Sequence, residues 1–154
     1  MGARQIRDIM TQPPITIPED ANLEQTARVM LENGIGCLPV VDGAGLLVGI
    51  VTESDFAAKS ARIPFSTFEA PQVLGQWMGK EGVERVYQEA RRREVREIMS
   101  HPVHVVDDDD VIEKVLELML KRKIKHVCVV RDGRPVGVVA RHDLLKMMWD
   151  RGRV

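Results

Sequence analysis

Apolar residues recur along this chain with two periods, and the alternation between them predicts its elements. Short runs rich in β-branched residues stand at Ile15-Thr16-Ile17, at Cys37-Leu38-Pro39-Val40-Val41 and from Gly49 to Thr52. They return from Val103 to Val106, from Val127 to Val130 and from Gly137 to Ala140. Runs of this length and composition predict strands. After the first run of each set the spacing changes to i, i+4, i+7, i+8, at Leu23, Ala27, Met30 and Leu31 and at Ile112, Leu116, Met119 and Leu120. That spacing gives each of two helices one apolar face. Asp42-Gly43-Ala44-Gly45 and Arg131-Asp132-Gly133 predict tight turns. Closing helices are expected over Phe56-Ala57-Ala58 and from Leu144 to Met148.

The order of these signals occurs twice. Arg7-Asp8-Ile9-Met10-Thr11 returns as Arg96-Glu97-Ile98-Met99-Ser100, an offset of 89 residues from Met10 to Met99. Gly49 and Gly137 are 88 apart, so the second turn is one residue shorter. Each copy reads β-α-β-β-α, over 5–59 and 96–149. Each is too small to bury a good core alone, so the expected fold is α+β, with the copies packed face to face about a pseudo-two-fold axis. Residues 60–95 form a connector. Its first part is broken by Pro64, Pro71, Gly75 and Gly79, and a helix is expected from Val83 with Val83, Val86, Tyr87 and Ala90 on one face.

Composition narrows the classes. With 154 residues, 44% hydrophobic and 29% charged, the chain has the make-up of a water-soluble globular protein. Twenty-two basic and 23 acidic residues leave a net charge of −1, which gives no support to a nucleic-acid or anionic-membrane surface. No apolar run reaches the roughly 20 residues that span a bilayer, and a cytoplasmic location is expected. Cys37 and Cys128 lie in strand-like runs and are expected as buried free thiols. The four histidines show no zinc-type spacing with them, so no metal is expected. Asp107-Asp108-Asp109-Asp110 lacks the alternating ligands of a calcium loop and is read as a helix cap and first turn with its charges in water.

Two stretches carry candidate chemistry. Thr52-Glu53-Ser54-Asp55 matches a capping box, a hydroxyl followed three residues on by an acid. In the second copy Ala140 replaces the threonine, yet Asp143 keeps the acid's place. Alanine is a poor N-cap, which argues for a purpose of that acid beyond pairing with a cap.

The repeat resembles the cystathionine-β-synthase (CBS) domain, and the whole chain resembles a stand-alone tandem pair, a Bateman module. The likeness rests on Ile9-Met10 and Ile98-Met99, on the run Ile35-Gly36-Cys37-Leu38-Pro39-Val40-Val41, on the Gly49 and Gly137 strands and on Thr52 with Asp55. It implies a regulatory, non-catalytic module that binds an adenosine nucleotide such as AMP, ADP or ATP, or S-adenosylmethionine, in clefts between the repeats. No cofactor is required on this reading. The expected biology is energy sensing, as a homodimer that signals to an effector protein. By resemblance Asp55 and Asp143 accept the ribose hydroxyls, Thr52 contributes near the ribose or phosphate, and Thr16, Ile17, Ile35, Gly36, Cys37, Leu38 and Pro39 line the adenine slot of the first copy. Val105 and Ile124 take corresponding places in the second, where Lys125, His126, Arg141 and His142 can serve phosphate. The alternative is an interaction-only dimer with empty or vestigial sites. An enzyme ranks lower, because no Ser-His-Asp order, metal cluster or glycine-rich phosphate loop is present. If Asp55 binds ribose, its removal is expected to cost affinity but little stability. Methionines and leucines on the helices, Met30, Leu31, Met119, Leu120, Met147 and Met148, are the expected dimer surface.

Overall fold

The computed structural model describes residues 4–58, 72–73, 76–77, 88–89 and 91–151. In chain order the elements are β1 (Ile17–Pro18), α1 (Leu23–Asn33), β2 (Cys37–Val41), β3 (Leu47–Thr52), α2 (Glu53–Ala58), β4 (Gln72–Val73), β5 (Gln76–Trp77), β6 (Val105–Asp107), α3 (Ile112–Arg122), β7 (His126–Arg131), β8 (Arg134–Ala140) and α4 (Arg141–Arg151). The fold is α+β, with three-stranded sheets ordered β1-β2-β3 and β6-β7-β8. In the second sheet β6 runs parallel to β7, Val105 facing Cys128, and β7 runs antiparallel to β8, His126 facing Ala140. Both first strands start two residues later than their β-branched runs. The prolines at 13, 14 and 102 remove N–H donors just upstream, so pairing begins only beyond them. The helix expected from Val83 lies almost wholly outside the described residues; upstream of it β4 and β5 form a short antiparallel ladder, Gln72 facing Trp77. No helix among the described residues is long and apolar enough to cross a membrane.

The helices bury a narrower stripe than their spacing suggests. The buried positions are Leu23, Thr26 and Met30 on α1, and Ile112, Val115 and Met119 on α3. Leu31 and Leu120, placed by their spacing on the helices' apolar faces and expected as dimer surface, are 82% and 79% exposed and take no part in the core. On a helix of about 3.6 residues per turn, i+8 lies roughly 100° round from the centre of i, i+3 and i+7. Met30 and Met119 are core residues, which removes them from the expected dimer surface. Thr26 tolerates full burial because its hydroxyl donates to the Asn22 carbonyl at 2.8 Å. Asn22 and Gln25 cap α1 reciprocally, at 2.8 and 3.0 Å. α1 stops at Gly34 with φ 59°, and α3 stops in the same left-handed geometry at Lys123, φ 53°.

The chain forms two compact units that cut across the two repeats. One holds Ile17–Val40 and Gly49–His101, the other Met1–Thr16, Val41–Val48 and Pro102–Val154. The segment leading into each repeat is built into the unit of the other repeat. Ile6 N–H donates to the Asp110 carbonyl at 2.9 Å, and its counterpart Val95 donates to Ala21 at 2.7 Å. Both side chains are fully buried. Ile6 joins Val106, Val115, Met119, Val127, Val129 and Val139 in one apolar cluster. Further along, Thr11 bridges Val138 and Ser100 bridges Ile50. In the unit that holds Ile6, the β2–β3 turn also docks on the β7–β8 turn, where Leu47 N–H meets the Gly133 carbonyl at 2.9 Å and Arg134 reaches the Ala44 carbonyl at 2.5 Å.

The acidic run departs from expectation. Asp108 is buried and ion-paired with Arg131, while Asp110 accepts the Asp107 N–H and the Lys114 ammonium, both at 2.8 Å. Val111, not an aspartate, is the N-cap of α3. A buried carboxylate needs a partner, and the arginine of the following turn supplies it. The hydrogen bond from Arg131 holds the Asp108 carboxyl below the usual carboxylate range, and the charges of Arg131 and Arg7 add to it.

Two predictions follow from this packing. Ile6→Ala should lower the unfolding free energy by about 2–5 kcal/mol in urea denaturation, and a loss below about 1 kcal/mol would mean the leading segment is not part of the core. Because folding lowers the Asp108 pKa, its stabilisation is full above the unfolded value and is lost as pH falls through the folded one. Asp108→Asn should therefore melt below the parent protein at pH 7, with the gap closing below about pH 4. Equal melting at pH 7 would show that the pair contributes nothing.

Candidate functional site

Both candidate aspartates sit where a strand turns into a helix. β3 ends at Thr52 and Asp55 is the third residue of α2; β8 ends at Ala140 and Asp143 is the third residue of α4. Each is buried, 6% and 8% exposed. Asp55 Oδ2 accepts the Thr52 N–H at 2.9 Å and the Thr52 hydroxyl at 3.4 Å. Asp143 Oδ2 accepts the Ala140 N–H at 2.8 Å. The other oxygen of each receives a hydroxyl from the leading segment: Ser100 Oγ donates to Asp55 Oδ1 at 3.0 Å, and Thr11 Oγ1 to Asp143 Oδ1 at 3.2 Å.

These contacts correct two expectations. Asp143 has a capping role without a side-chain oxygen at Ala140, because the bond runs from the backbone N–H to the acid; the missing hydroxyl is no argument against the cap. Nor is Asp55 a dispensable first-turn acid, since its loss would leave the half-buried Thr52 N–H and the Ser100 hydroxyl without that acceptor.

Methionine and glycine bring the leading segment this close. The Met99 side chain occupies the space a Cβ on Gly49 would need. At Gly137 a Cβ would come within 2.9 Å of Met10 Cγ and 3.1 Å of the Thr11 carbonyl oxygen. Any larger residue would push the segment, and its hydroxyl, off the carboxylate.

In the unit of Asp55, Ile17, Cys37, Leu38 and Pro39 are buried, while Ile35, Gly36 and Thr52 are half-buried. Thr16 belongs to the other unit. In the unit of Asp143, Lys125, Arg141 and His142 are exposed, Val105 is 39% exposed, and Ile124 and His126 are half-buried. The first residue of each closing helix ties back to the start of the second strand: Glu53 N–H donates to the Gly36 carbonyl at 3.2 Å, and Arg141 N–H to the Lys125 carbonyl at 3.3 Å. Sequence reasoning missed Ser100 and Thr11 as partners of the acids. Their signal was visible, a hydroxyl residue closing both copies of the Ile-Met motif. Cys37 and Cys128 are buried and neither is in a disulfide, and burial pushes the Cys128 thiol up to about 12, which keeps it unreactive. Carboxylate oxygens of Asp107, Asp109 and Asp110 lie within 4.8 Å of one another, but the Lys114 ammonium already serves Asp110.

Comparison with known proteins decides the family. The sequence profile described as CBS domain matches residues 6–62 and 95–150. This chain belongs to the CBS domain family. Its structure is similar to the CBS domain of a CBS domain containing membrane protein from Sphaerobacter thermophilus, at 42% identity and TM-score 0.76, covering 94% of this chain and 87% of that one. It is also similar to the CBS domain pair of protein MJ0100, solved in complex with 5′-methylthioadenosine and S-adenosyl-L-methionine, at 26% identity and TM-score 0.71, covering 97% and 99%. Among curated sequences, the uncharacterized protein MJ1426 of Methanocaldococcus jannaschii is 32% identical, covering 93% of this chain and 90% of that protein. The L-aspartate semialdehyde sulfurtransferase of the same organism is 28% identical, but this CBS pair spans only 23% of its length.

The geometry makes both acids structural whatever else they do. Asp55→Ala and Asp143→Ala should each cost about 1–3 kcal/mol of stability without ligand, more than the roughly 0.3–1 kcal/mol of an exposed first-turn acid. Denaturant titration of the two variants measures this, and losses within the smaller range would return both acids to simple caps.

Proposed function

We propose that this CBS pair is a regulatory module that binds an adenosine ligand, a nucleotide or an S-adenosylmethionine-like molecule, at the Asp55 and Asp143 corners and passes occupancy to a partner protein. The observation that carries the reading is a carboxylate fixed in the same backbone frame twice, in a chain similar over nearly all its length to a pair solved with two adenosine compounds. A carboxylate offers about four acceptor positions, which suits the neighbouring hydroxyls of a ribose. Each acid is held by a backbone N–H and a hydroxyl rather than by a base, an arrangement suited to binding. Dimerisation in the cytoplasm belongs to the same proposal. Leu31 and Leu120 occupy equivalent positions and are largely exposed, as is Met148 at 68%, and a second copy is the partner such paired apolar surface suits.

One observation favours the interaction-only alternative: both acids already have structural partners within the protein. Affinity, not stability, separates the readings. Asp55→Asn keeps an acceptor for the Thr52 N–H but loses the charge and one ribose acceptor. Isothermal titration with S-adenosylmethionine and AMP should show at least about a tenfold loss at one of two sites, since charge-assisted hydrogen bonds contribute roughly 1.5–3 kcal/mol each. Unchanged affinity, or no binding by the parent protein, would place the interaction-only reading first.

A further inference from the structure

The two corners share a backbone and differ in charge. Glu53 and Arg141 are equivalent, 88 residues apart, and Gly36 and Lys125 are equivalent, 89 apart. The bond from helix start to strand start holds each pair of positions side by side. In the Asp55 corner the Glu53 carboxyl carbon lies 3.4 Å from where a Cβ on Gly36 would be, so an anion covers bare backbone. In the Asp143 corner the same two positions carry the exposed cations Lys125 and Arg141, neither in an ion pair among the described residues. The neighbours extend the contrast, with Cys37 and Ser54 on one side and His126 and His142 on the other.

We propose that this contrast sorts ligands by the charge they carry beyond the ribose. The Asp143 corner takes an adenosine bearing a 5′-phosphate, and the Asp55 corner takes one that is neutral or cationic there, as a thioether or sulfonium is. A phosphate monoester carries close to two negative charges at pH 7. Beside Lys125 and Arg141 it meets two donors suited to its oxygens. Beside Glu53 it meets a like charge, and positions 36 and 54 of that corner supply no cation. A sulfonium reverses both statements. The inference rests on the adenosine-binding reading and adds to it a ligand class for each site.

Three probes of one nucleoside and different charge test it: adenosine, AMP and S-adenosylmethionine, titrated calorimetrically into the full chain. Asp143→Asn weakens its own corner and so identifies the unaffected site as the Asp55 corner, which should bind S-adenosylmethionine at least about fivefold tighter than AMP, the factor one unit-charge contact at about 4 Å supplies in water. Asp55→Asn likewise identifies the other corner, which should show the opposite order. Both preferences should shrink as salt is raised, because these groups are exposed. Glu53→Gln, an exposed substitution that leaves the fold alone, should raise AMP affinity at the Asp55 corner, and Arg141→Gln should lower it at the Asp143 corner. The same order of preference at both corners, or AMP affinity indifferent to Glu53→Gln, would overturn the sorting while leaving adenosine binding intact. No binding of any probe to the parent chain would overturn both.

Discussion

The structure depends on an exchange: the segment that leads into each repeat completes the unit of the other. Ile6 and Val95 are the anchors, fully buried and tied by backbone bonds to Asp110 and Ala21. Burying such a side chain is worth roughly 1.5–3 kcal/mol, enough to fix a segment of about ten residues whose later part is largely exposed. With the anchor seated, Met10 and Met99 lie against Gly137 and Gly49, and Thr11 and Ser100 present their hydroxyls to Asp143 and Asp55. The candidate site is thus a consequence of core packing. Each acid is held from its own helix start and from a segment far away in sequence, and neither repeat contains all of its own corner.

That arrangement explains what the sequence could and could not show. The strands, turns and helices were legible because each repeat writes its signals locally, in β-branched runs, in Asp-Gly turns and in a helical period. The Gly49 and Gly137 strands were visible, and so were the acids that follow them. The exchange was not, because Ile6 and Val95 look like ordinary members of the repeats they precede in sequence. Nothing in a linear motif says which sheet it joins. Leu31 and Leu120 lie on the apolar face that the period of 3.6 identifies but outside the core, because the buried width of a face is set by what packs against it. Asp108 was misread because four adjacent acids resemble a solvated run, whereas Arg131, 23 residues on, draws one of them inside.

Capping and ligand binding are compatible roles for these acids. From the sequence, Ala140 seemed to deprive Asp143 of a structural purpose. The carboxylate instead accepts the backbone N–H, which every residue except proline offers, so the identity of residue 140 is indifferent to that bond. Thr52 adds only a 3.4 Å contact to Asp55. What favours a ligand is no longer a missing cap but the rigidity of the result. A buried carboxylate fixed on two sides would already be oriented for a ribose under the proposed function, with the ordering cost that weakens binding to mobile groups met in folding.

The same frame shows where two copies of one unit are able to diverge. Positions that set the backbone, such as the glycines under the methionines, the apolar anchors and the acids, are matched in kind between the copies. Changing them would open cavities or displace a segment, at a cost of several kcal/mol. Positions 36, 53 and 54 and their counterparts 125, 141 and 142 are half-buried or exposed, where a substitution typically shifts stability by less than about 0.5 kcal/mol. Charge at these places is nearly free of the fold. A duplicated corner that must keep its shape has its widest freedom in the charges at its rim, and it is there that Glu53 stands in one copy and Arg141 in the other.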